Sequence, residues 1–297
     1  MRIMSLDQVE TGSFAPQEGI SHASRRIRVV SWNIARGRRL DEIAEFLVGA
    51  NADLILLQEV DMHARRSAYR NIAEVLAQKL NLNYAFGIEF QELAQGSCTA
   101  PAYHGQATLS PWPLADSRVL RFQRQSTFWK PRWWIPAHPR FQRRVGGRMA
   151  LLSHVSIGHT ILAVYNLHLE SRGGDDLRRS QLGAVLNDAL RYGADVPVIV
   201  AGDFNFDVTE PANACVNETG FQNPFADLGL RTAQAHSFSR SNTIDWILTR
   251  GPVAPDSPKI DHSVSASDHY PLSLTLELRV PQRCGMPTFG PLSACGH

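Results

Sequence analysis

The sequence predicts an α/β protein in which two packed β-sheets are flanked by helices. Short apolar segments typical of strands outnumber the amphipathic segments typical of helices, and the two kinds alternate along the chain. Some neighbouring strands are separated by a short turn and others by a helix. This mixture of hairpins and crossovers is typical of layered sheets that share one core.

The N-terminal half is predicted to alternate strands with helices. Apolar runs predict strands at residues 28–33, 53–57 and 84–90. Apolar residues at helical spacing predict helices at 40–48 and 67–80. Residues 107–119 are predicted to be strand that is interrupted at Pro111 and Pro113, because proline cannot donate to a strand ladder.

The C-terminal half continues in the same way. Strands are predicted at 150–156 and 160–167, with Gly158 and His159 as the hairpin turn, and a helix at 175–192. Three further strands are predicted at 196–201, 243–248 and 269–278. We therefore expect a flexible leader at residues 1–25, a single domain at 26–280 and a tail at 281–297.

Composition narrows the class of protein. The sequence contains no run of about 18 apolar residues, so it predicts no transmembrane helix. Residues 1–20 lack the basic region and the apolar region of a secretory signal. We therefore expect a cytoplasmic protein. The four cysteines form no CxxC pair, which argues against a zinc ribbon and favours reduced thiols, although a pairing of Cys284 with Cys295 stays open.

Positive charge is concentrated in the middle of the chain. Residues 117–169 contain no Asp or Glu, and residues 122–148 combine arginines with Trp129, Trp133 and Trp134. The prolines of this segment predict a long irregular loop. It either contacts an anionic substrate through cations and aromatic rings or packs on the core as a surface flap, and both interpretations stay open.

Polar side chains that suit catalysis recur just beyond the predicted strands. They are Asn33, Glu59, His168, Asp203, Asn205, Asp268 and His269. A single carboxylate after a strand usually serves a turn, and a single histidine there is usually structural. Because function tends to collect at strand ends in layered α/β folds, this recurrence indicates an active site.

Six short motifs occur in an order that resembles the endonuclease/exonuclease/phosphatase superfamily of DNase-I-like enzymes. They are SWN at 31–33, QE at 58–59, NLHL at 166–169, GDFN at 202–205, IDW at 244–246 and SDH at 267–269. The resemblance extends over about residues 27–278. It implies a four-layer α/β sandwich, two mixed sheets flanked by helices, with the active site at one rim of the sheets.

The resemblance also implies a metal-dependent hydrolysis of phosphoester bonds. Glu59 would be the principal Mg²⁺ ligand, with Asn33 and Asp268 nearby, and Mn²⁺ could substitute. Hard oxygen ligands suit these cations. No obligate protein partner is inferred.

The remaining motif residues would carry the chemistry of an in-line attack by water. Asp203 would orient or deprotonate the water, and Asn205 would hold the water or the phosphate. His269, polarised by Asp245, would face the phosphate, and His168 would donate to a phosphate oxygen or the leaving group. A carboxylate beside a histidine fixes its tautomer and raises its pKa. A serine triad is not supported, because no serine lies in a GxSxG motif.

The substrate is less defined than the reaction. A phosphodiesterase or nuclease is the leading expectation, and the substrate could be nucleic acid or phospholipid. Residues 242–246 and 58–61 depart from the motifs of inositol-polyphosphate 5-phosphatases and abasic-site endonucleases. A sphingomyelinase-like enzyme acting on phospholipid, and an inactive binding module of the same fold, stay open. Gln106 stands where many relatives carry Asn, which puts a substrate contact there in doubt.

Overall fold

Two facing β-sheets form the centre of the protein, and helices cover their outer faces, which confirms the predicted α/β sandwich. The computed structural model describes residues 4–16, 26–132, 134, 136, 138, 141, 143–210, 215–229, 231–233 and 243–279. The predicted tail at 281–297, with Cys284 and Cys295, lies outside these ranges, as does Trp133. Cys98 is a free, exposed thiol.

The strands carry thirteen labels in chain order. They are β1 (Val9–Gly12), β2 (Arg26–Asn33), β3 (Leu54–Met62), β4 (Asn83–Glu92), β5 (Ala102–Ser110), β6 (Leu114–Arg121), β7 (Arg144–Gly146), β8 (Met149–Ile157), β9 (Thr160–His168), β10 (Val198–Asp203), β11 (Asp245–Arg250), β12 (Val253–Ile260) and β13 (Leu272–Leu278). The larger sheet has the order β1-β4-β5-β3-β2-β13-β12, and β7 pairs with β4. The smaller sheet has the order β11-β10-β9-β8-β6.

The described helices each place residues in a core beside one of the two sheets. They are α1 (Leu40–Ala50), α2 (Ile72–Leu80), α3 (Asp175–Ala189) and the single turn α4 (Cys215–Glu218). α1 and α2 pack on the outer face of the larger sheet, whereas Leu182, Val185 and Leu186 of α3 join the core of the smaller sheet. None of the described helices is long and apolar enough to cross a membrane.

The two sheets are joined through their core by a pair of amides. Gln58 of β3 donates from Nε2 to Asn166 Oδ1 of β9 at 2.8 Å. Asn166 in turn donates from Nδ2 to the backbone oxygens of Leu57 and Ala107 in the larger sheet. Because buried polar groups cost free energy unless they are paired, these bonds fix the position of one sheet relative to the other.

Several predicted boundaries differ from the structure. The helix expected at 67–80 begins at Ile72, because Asn71 accepts from the backbone N–H of Glu74 and caps it. β12 was not predicted, because its prolines and charges suggest a loop, but an edge strand tolerates both. Part of the expected leader is also a strand, since Val9–Gly12 pairs with β4.

Arg121 of β6 ties the N-terminal segment to the sheets. Its guanidinium donates to the backbone oxygens of Leu6, Ile88, Glu89 and Gly147 and to the carboxylate of Asp7. These acceptors belong to separate segments of the chain. One side chain therefore satisfies several backbone groups that would otherwise need other partners.

We predict that Arg121→Met lowers the free energy of unfolding by about 2 to 4 kcal/mol, because buried carbonyl groups lose their donors. Urea unfolding followed by circular dichroism measures the change. Arg26→Met is the matched control. Arg26 pairs with Asp256 at 3.3 Å, but both side chains are more than 60% exposed, so its loss should cost less than about 0.5 kcal/mol. Equal losses in the two variants would contradict this role for Arg121.

Candidate active site

Three side chains of the smaller sheet stand in one row at the ends of neighbouring strands. Asp203 of β10 is the direct partner of His168 on β9 and of Asp245 on β11. Because direct partners in a sheet point to the same face, the three side chains share one side. His168 Nε2 lies 3.3 Å from Asp203 Oδ2.

Gly202 allows this row to form. Its φ is +144°, and a Cβ atom there would lie 1.9 Å from the carbonyl oxygen of Leu167. Only glycine permits such a close approach of β10 to β9. The glycine of the GDFN motif therefore places Asp203 directly beside His168.

The larger sheet contributes Asn33 and Glu59. Asn33 donates from Nδ2 to Asp203 Oδ2 at 3.1 Å, so it links the two sheets. Glu59 lies in a bulge of β3, between the paired residues Leu57 and Val60, with a left-handed φ of +52°. Such a conformation costs on the order of 1–3 kcal/mol for a residue other than glycine. The bulge turns Glu59 into the cleft, whereas Gln58 and Val60 stay buried.

A cleft of about 280 Å³ gathers six of the eight residues predicted from the sequence. They are Glu59, His168, Asp203, Asn205, Asp268 and His269. The other two lie directly behind this cleft. Asn33 bonds Asp203, and Asp245 bonds His269 Nδ1 at 2.9 Å. The structure thus brings all eight side chains into one connected cluster.

The carboxylates Glu59 and Asp203 differ in charge state. Burial alone would raise the pKa of Glu59, but Arg36, with its NH2 atom 3.5 Å away, and His104 hold that pKa well below its usual value. Glu59 is therefore ionised. Burial and the neighbouring Asp245 raise the pKa of Asp203 to about 7, although His269 opposes the rise. Asp203 is therefore poised to exchange a proton near neutral pH.

The two histidines of the row also differ in charge. Burial alone would lower the pKa of His269, but the carboxylates of Asp245 and Asp203 raise it to about 10, so this imidazole is positively charged. Burial and Arg148 hold the pKa of His168 well below its usual value, so this imidazole is neutral. The site therefore pairs one cationic imidazole with one neutral imidazole on either side of Asp203.

Asn205 follows Asp203 in a tight turn. Its φ is +57°, which asparagine tolerates better than most residues. The backbone N–H of Asn205 donates to Asp203 Oδ1 at 2.9 Å, and its Nδ2 donates to the carbonyl oxygen of Leu169 at 3.0 Å. These bonds fix the side chain at the cleft wall and leave its Oδ1 as the available acceptor.

Arg148 and Glu89 belong to the site, although the sequence indicates Arg148 only as part of the basic segment 122–148 and does not indicate Glu89. Arg148 lines the cleft, and its NH1 lies 2.5 Å from Glu89 Oε1. Glu89 Oε2 lies 3.8 Å from His168 Nδ1, and both of these atoms are buried without a hydrogen-bond partner. Burial raises the pKa of Glu89 despite Arg148. A charged residue between Ile88 and Phe90 in an apolar strand was the available sequence signal.

The basic segment 122–148 contains a short strand, which corrects the expectation of an irregular loop throughout. Arg144 lies in strand β7, buried, with its NH2 2.7 Å from Glu92 Oε1. Trp129 lines the cleft and donates from Nε1 to Glu170 Oε1 at 2.8 Å. Arg144 and Arg148 thus balance buried carboxylates. Among the residues of the segment that the structure describes, the exposed cations are Arg124, Lys130 and Arg132.

Gln106 has a structural contact. It is fully buried in β5, and its Nε2 donates to the backbone oxygen of Met149 at 3.3 Å. The cleft is lined by other residues. Having Gln106 in place of the common Asn therefore affects the contact between β5 of the larger sheet and β8 of the smaller sheet.

A divalent cation fits the oxygen atoms at this cleft. Glu59 is an ionised carboxylate at the cleft wall, and Asp268 is an exposed carboxylate at the same cleft. Ligand atoms of Asp203, Asp245 and His269 also lie within 4.8 Å of one another. In this second set, His269 Nδ1 already binds Asp245 and the imidazole is charged, so it is a poor ligand. The Glu59 side therefore suits a hard cation better.

Two mixed sheets that face each other, with acidic and imidazole side chains at one shared rim, define a DNase-I-like protein. A family model for the endonuclease/exonuclease/phosphatase family matches residues 30–269. The chain belongs to this family, whose members are typically phosphoester hydrolases. No curated protein matches the chain significantly.

Solved structures share the fold at low sequence identity. An endonuclease/exonuclease/phosphatase from Beutenbergia cavernae DSM 12333 has a TM-score of 0.63 at 19% identity, covering 86% of this chain and 72% of that chain. The human Nocturnin catalytic domain with bound sulfate has a TM-score of 0.63 at 18% identity, covering 92% and 97%. D. rerio TDP2 complexed with a single-strand DNA product has a TM-score of 0.58 at 18% identity, covering 85% and 99%.

Proposed function

We propose that this protein is a Mg²⁺-dependent phosphodiesterase that cleaves nucleic acid by in-line attack of an activated water. One observation carries the proposal. An ionised Glu59 on one sheet faces an Asp203 on the other sheet whose pKa is about 7, and a cationic His269 lies between Asp203 and Asp245. Anion binding, proton transfer and cation binding are thereby available at one cleft.

The residues of the chain take the following roles in this mechanism. Asp203 accepts the proton of the attacking water, because its pKa lies near neutral pH. Asn205 orients that water through Oδ1. His269 donates from Nε2 to a phosphoryl oxygen, since Asp245 holds its Nδ1. Neutral His168 supplies one N–H, which we assign to a phosphoryl oxygen or the leaving group.

Glu59 would hold the cation, with Asp268 and Asn33 nearby. All three offer oxygen atoms, which Mg²⁺ prefers and Mn²⁺ accepts. When bound, the cation would neutralise charge that develops on the phosphoryl group. Arg36 and Arg148 line the same cleft and would add to the attraction of an anionic substrate.

We predict that the purified protein releases nitrophenol from bis(p-nitrophenyl) phosphate with Mg²⁺ or Mn²⁺ and loses this activity in EDTA. A panel of DNA, RNA, phospholipid and sugar phosphate then defines the substrate class. Turnover that persists in EDTA would contradict the metal dependence. Bound metal without turnover of any phosphoester would instead support a binding module.

Nucleic acid is favoured by two observations. The TDP2 structure with a single-strand DNA product shares this fold. The exposed cations Lys130 and Arg132 follow Trp129, which lines the cleft. A phospholipid substrate is the second candidate, because Phe128, Trp134 and Phe141 of the same segment are each more than half exposed. Cytoplasmic location stays a prediction of the sequence.

We predict that Lys130→Ala with Arg132→Ala flattens the dependence of DNA affinity on salt by about one to two units of logarithmic slope, because two phosphate contacts are lost. Fluorescence anisotropy over a range of salt concentrations measures the slope. Arg26→Ala with Lys259→Ala removes two exposed cations that lie outside the cleft and should leave the slope unchanged. The alternative substrate is tested with Phe128→Ala combined with Trp134→Ala. If this variant no longer binds phospholipid vesicles, and the salt dependence of DNA affinity is the same in Lys130→Ala with Arg132→Ala as in the wild type, phospholipid becomes the preferred substrate class.

A further inference from the structure

A second aspartate–histidine pair lies at the cleft, on the larger sheet. His104 of β5 is the direct partner of Asp61 on β3, and His104 Nδ1 lies 2.8 Å from Asp61 Oδ1. Both side chains are almost completely buried. His104 nevertheless lines the cleft together with Glu59. None of the motifs found in the sequence includes this pair.

Arg66 fixes the carboxylate of this pair. It donates from Nε and NH2 to the two oxygens of Asp61 at 2.7 and 2.8 Å. Its NH2 also donates to Glu92 Oε1 at 3.0 Å, so the guanidinium is itself held in place. A carboxylate bound in this way acts as an acceptor. His104 must therefore donate from Nδ1, which fixes its ring orientation and, when the ring is an imidazolium, leaves the Nε2–H as a second donor.

The other nitrogen of His104 is open to the cleft. In the part of the chain that the structure describes, the hydrogen bonds of His104 all involve Nδ1. His104 Nε2 is also absent from the buried polar atoms that lack a partner, which include His168 Nδ1. Solvent therefore reaches Nε2. A histidine that only supports the core has both nitrogens satisfied or sealed, and His104 does not fit that description.

The geometry repeats that of His269 on the opposite sheet. There too a carboxylate, Asp245, holds Nδ1 at 2.9 Å, and Nε2 is directed towards the reacting groups, 3.7 Å from Asp203. Two imidazoles with the same support thus line one cleft from the two sheets. Arg36 and Arg148 line it as well, so an anionic group is the ligand that this cleft favours.

We propose that His104 is a further substrate-contacting residue, which in its imidazolium form donates an Nε2–H to a phosphoryl oxygen of the bound phosphoester on the Glu59 side, and that Asp61 positions it. The proposal rests on the proposed function. It adds a contact on the larger sheet to those that His168 and His269 make from the other side. The phosphate is then held between histidines of both sheets.

The test compares His104→Leu with His104→Gln, using bis(p-nitrophenyl) phosphate as substrate and inorganic phosphate as inhibitor. Leucine fills the space without a hydrogen bond. We expect it to lower kcat/KM and to weaken inhibition by phosphate, each about 10- to 100-fold, as for loss of a bond to a charged group. Glutamine carries an amide and should retain more of both. Unchanged inhibition in a folded His104→Leu protein would overturn the proposal.

His154→Leu is the matched control. His154 also has a carboxylate neighbour, with Nδ1 3.5 Å from Asp116, and its Nε2 lies 2.6 Å from the hydroxyl of Tyr192. It does not line the cleft. This variant should keep both kcat/KM and inhibition by phosphate. A loss equal to that of His104→Leu would show that the effect is not specific to the cleft.

Rescue by free imidazole separates a contact from a structural role. His104→Ala leaves a space that opens into the cleft, and added imidazole should restore part of its activity without affecting the His154 variant. Asp61→Asn should also lower kcat/KM, but added imidazole should not restore it. In this variant the His104 ring is still present, although its Nδ1 is no longer held by a carboxylate. A folded His104→Ala protein that has lost activity but gains nothing from imidazole would overturn the proposal.

The two proposals can fail separately. If the wild-type protein hydrolyses no phosphoester, the proposed function fails. Calorimetric titration of inorganic phosphate into the wild type and His104→Gln or His104→Leu still tests the contact. Weaker binding by the leucine variant supports it, and equal binding overturns it. If the leucine variant does not fold, the glutamine and alanine variants provide the same comparison.

Discussion

Asp203→Asn is expected to lower kcat by about 10²-fold or more, with a small effect on KM. Asparagine preserves the shape of the side chain but has one acceptor oxygen, whereas Asp203 accepts from Asn33 Nδ2 through Oδ2 and from the Asn205 backbone N–H through Oδ1. Asparagine cannot accept a proton from water near neutral pH, whereas the pKa of Asp203 is about 7. The proton transfer is therefore removed, together with one of these two hydrogen bonds. Steady-state kinetics with a soluble diester measures the change.

Asp207→Asn provides the control for this substitution. Asp207 lies four residues further on, where it accepts from the backbone N–H and the hydroxyl of Thr209, and it does not line the cleft. Its variant should keep wild-type kcat. If Asp203→Asn also kept near wild-type kcat, Asp203 would not be the base and the mechanism would need another acceptor.

Glu59→Gln is expected to weaken Mg²⁺ binding by at least about tenfold, a loss of about 1.4 kcal/mol, and to abolish most activity. The change removes a negative charge from a carboxylate that Arg36 and His104 keep ionised. An amide oxygen is a weaker ligand for a hard cation. Isothermal calorimetry with Mg²⁺ measures the affinity, and circular dichroism verifies folding.

Glu45→Gln makes the same chemical change on the exposed face of α1. It should leave Mg²⁺ affinity and turnover as in the wild type. Unchanged Mg²⁺ affinity in Glu59→Gln would remove Glu59 from the ligand set. The cluster of Asp203, Asp245 and His269 would then become the leading candidate for the cation.

Strands and helices could be predicted where apolar residues form a continuous run or recur at helical spacing. β9 and β10 are apolar runs, and α1 has apolar residues at helical spacing, so each was found within a few residues. β12 was missed because its two prolines and its charges are tolerated only at a sheet edge. Whether a strand lies at an edge depends on pairing with distant residues, which a local pattern does not contain.

The candidate site could be predicted as a set of residues but not as a geometry. Short motifs at strand ends identified Glu59 and Asp203, yet the bulge that directs Glu59 depends on pairing with β5. The sequence places Arg148 in the basic segment 122–148, with both interpretations of that segment open, and does not show that it balances the buried Glu89. His104 was overlooked for a similar reason. A sequence does not show which opposite charges meet across strands.

The position of β13 has a consequence for how the protein is made. This strand lies between β2 and β12 in the larger sheet and pairs with residues near the opposite end of the chain. Asp268 and His269 come just before it. Pairings between such distant segments form slowly, because a long loop must close first. A nascent chain that has emerged from the ribosome only as far as β11 already carries Asp203 and Glu59, but it lacks His269 and the strand that completes the sheet. Incomplete copies are therefore expected to be inactive, and activity should report on chains whose last described strand has docked.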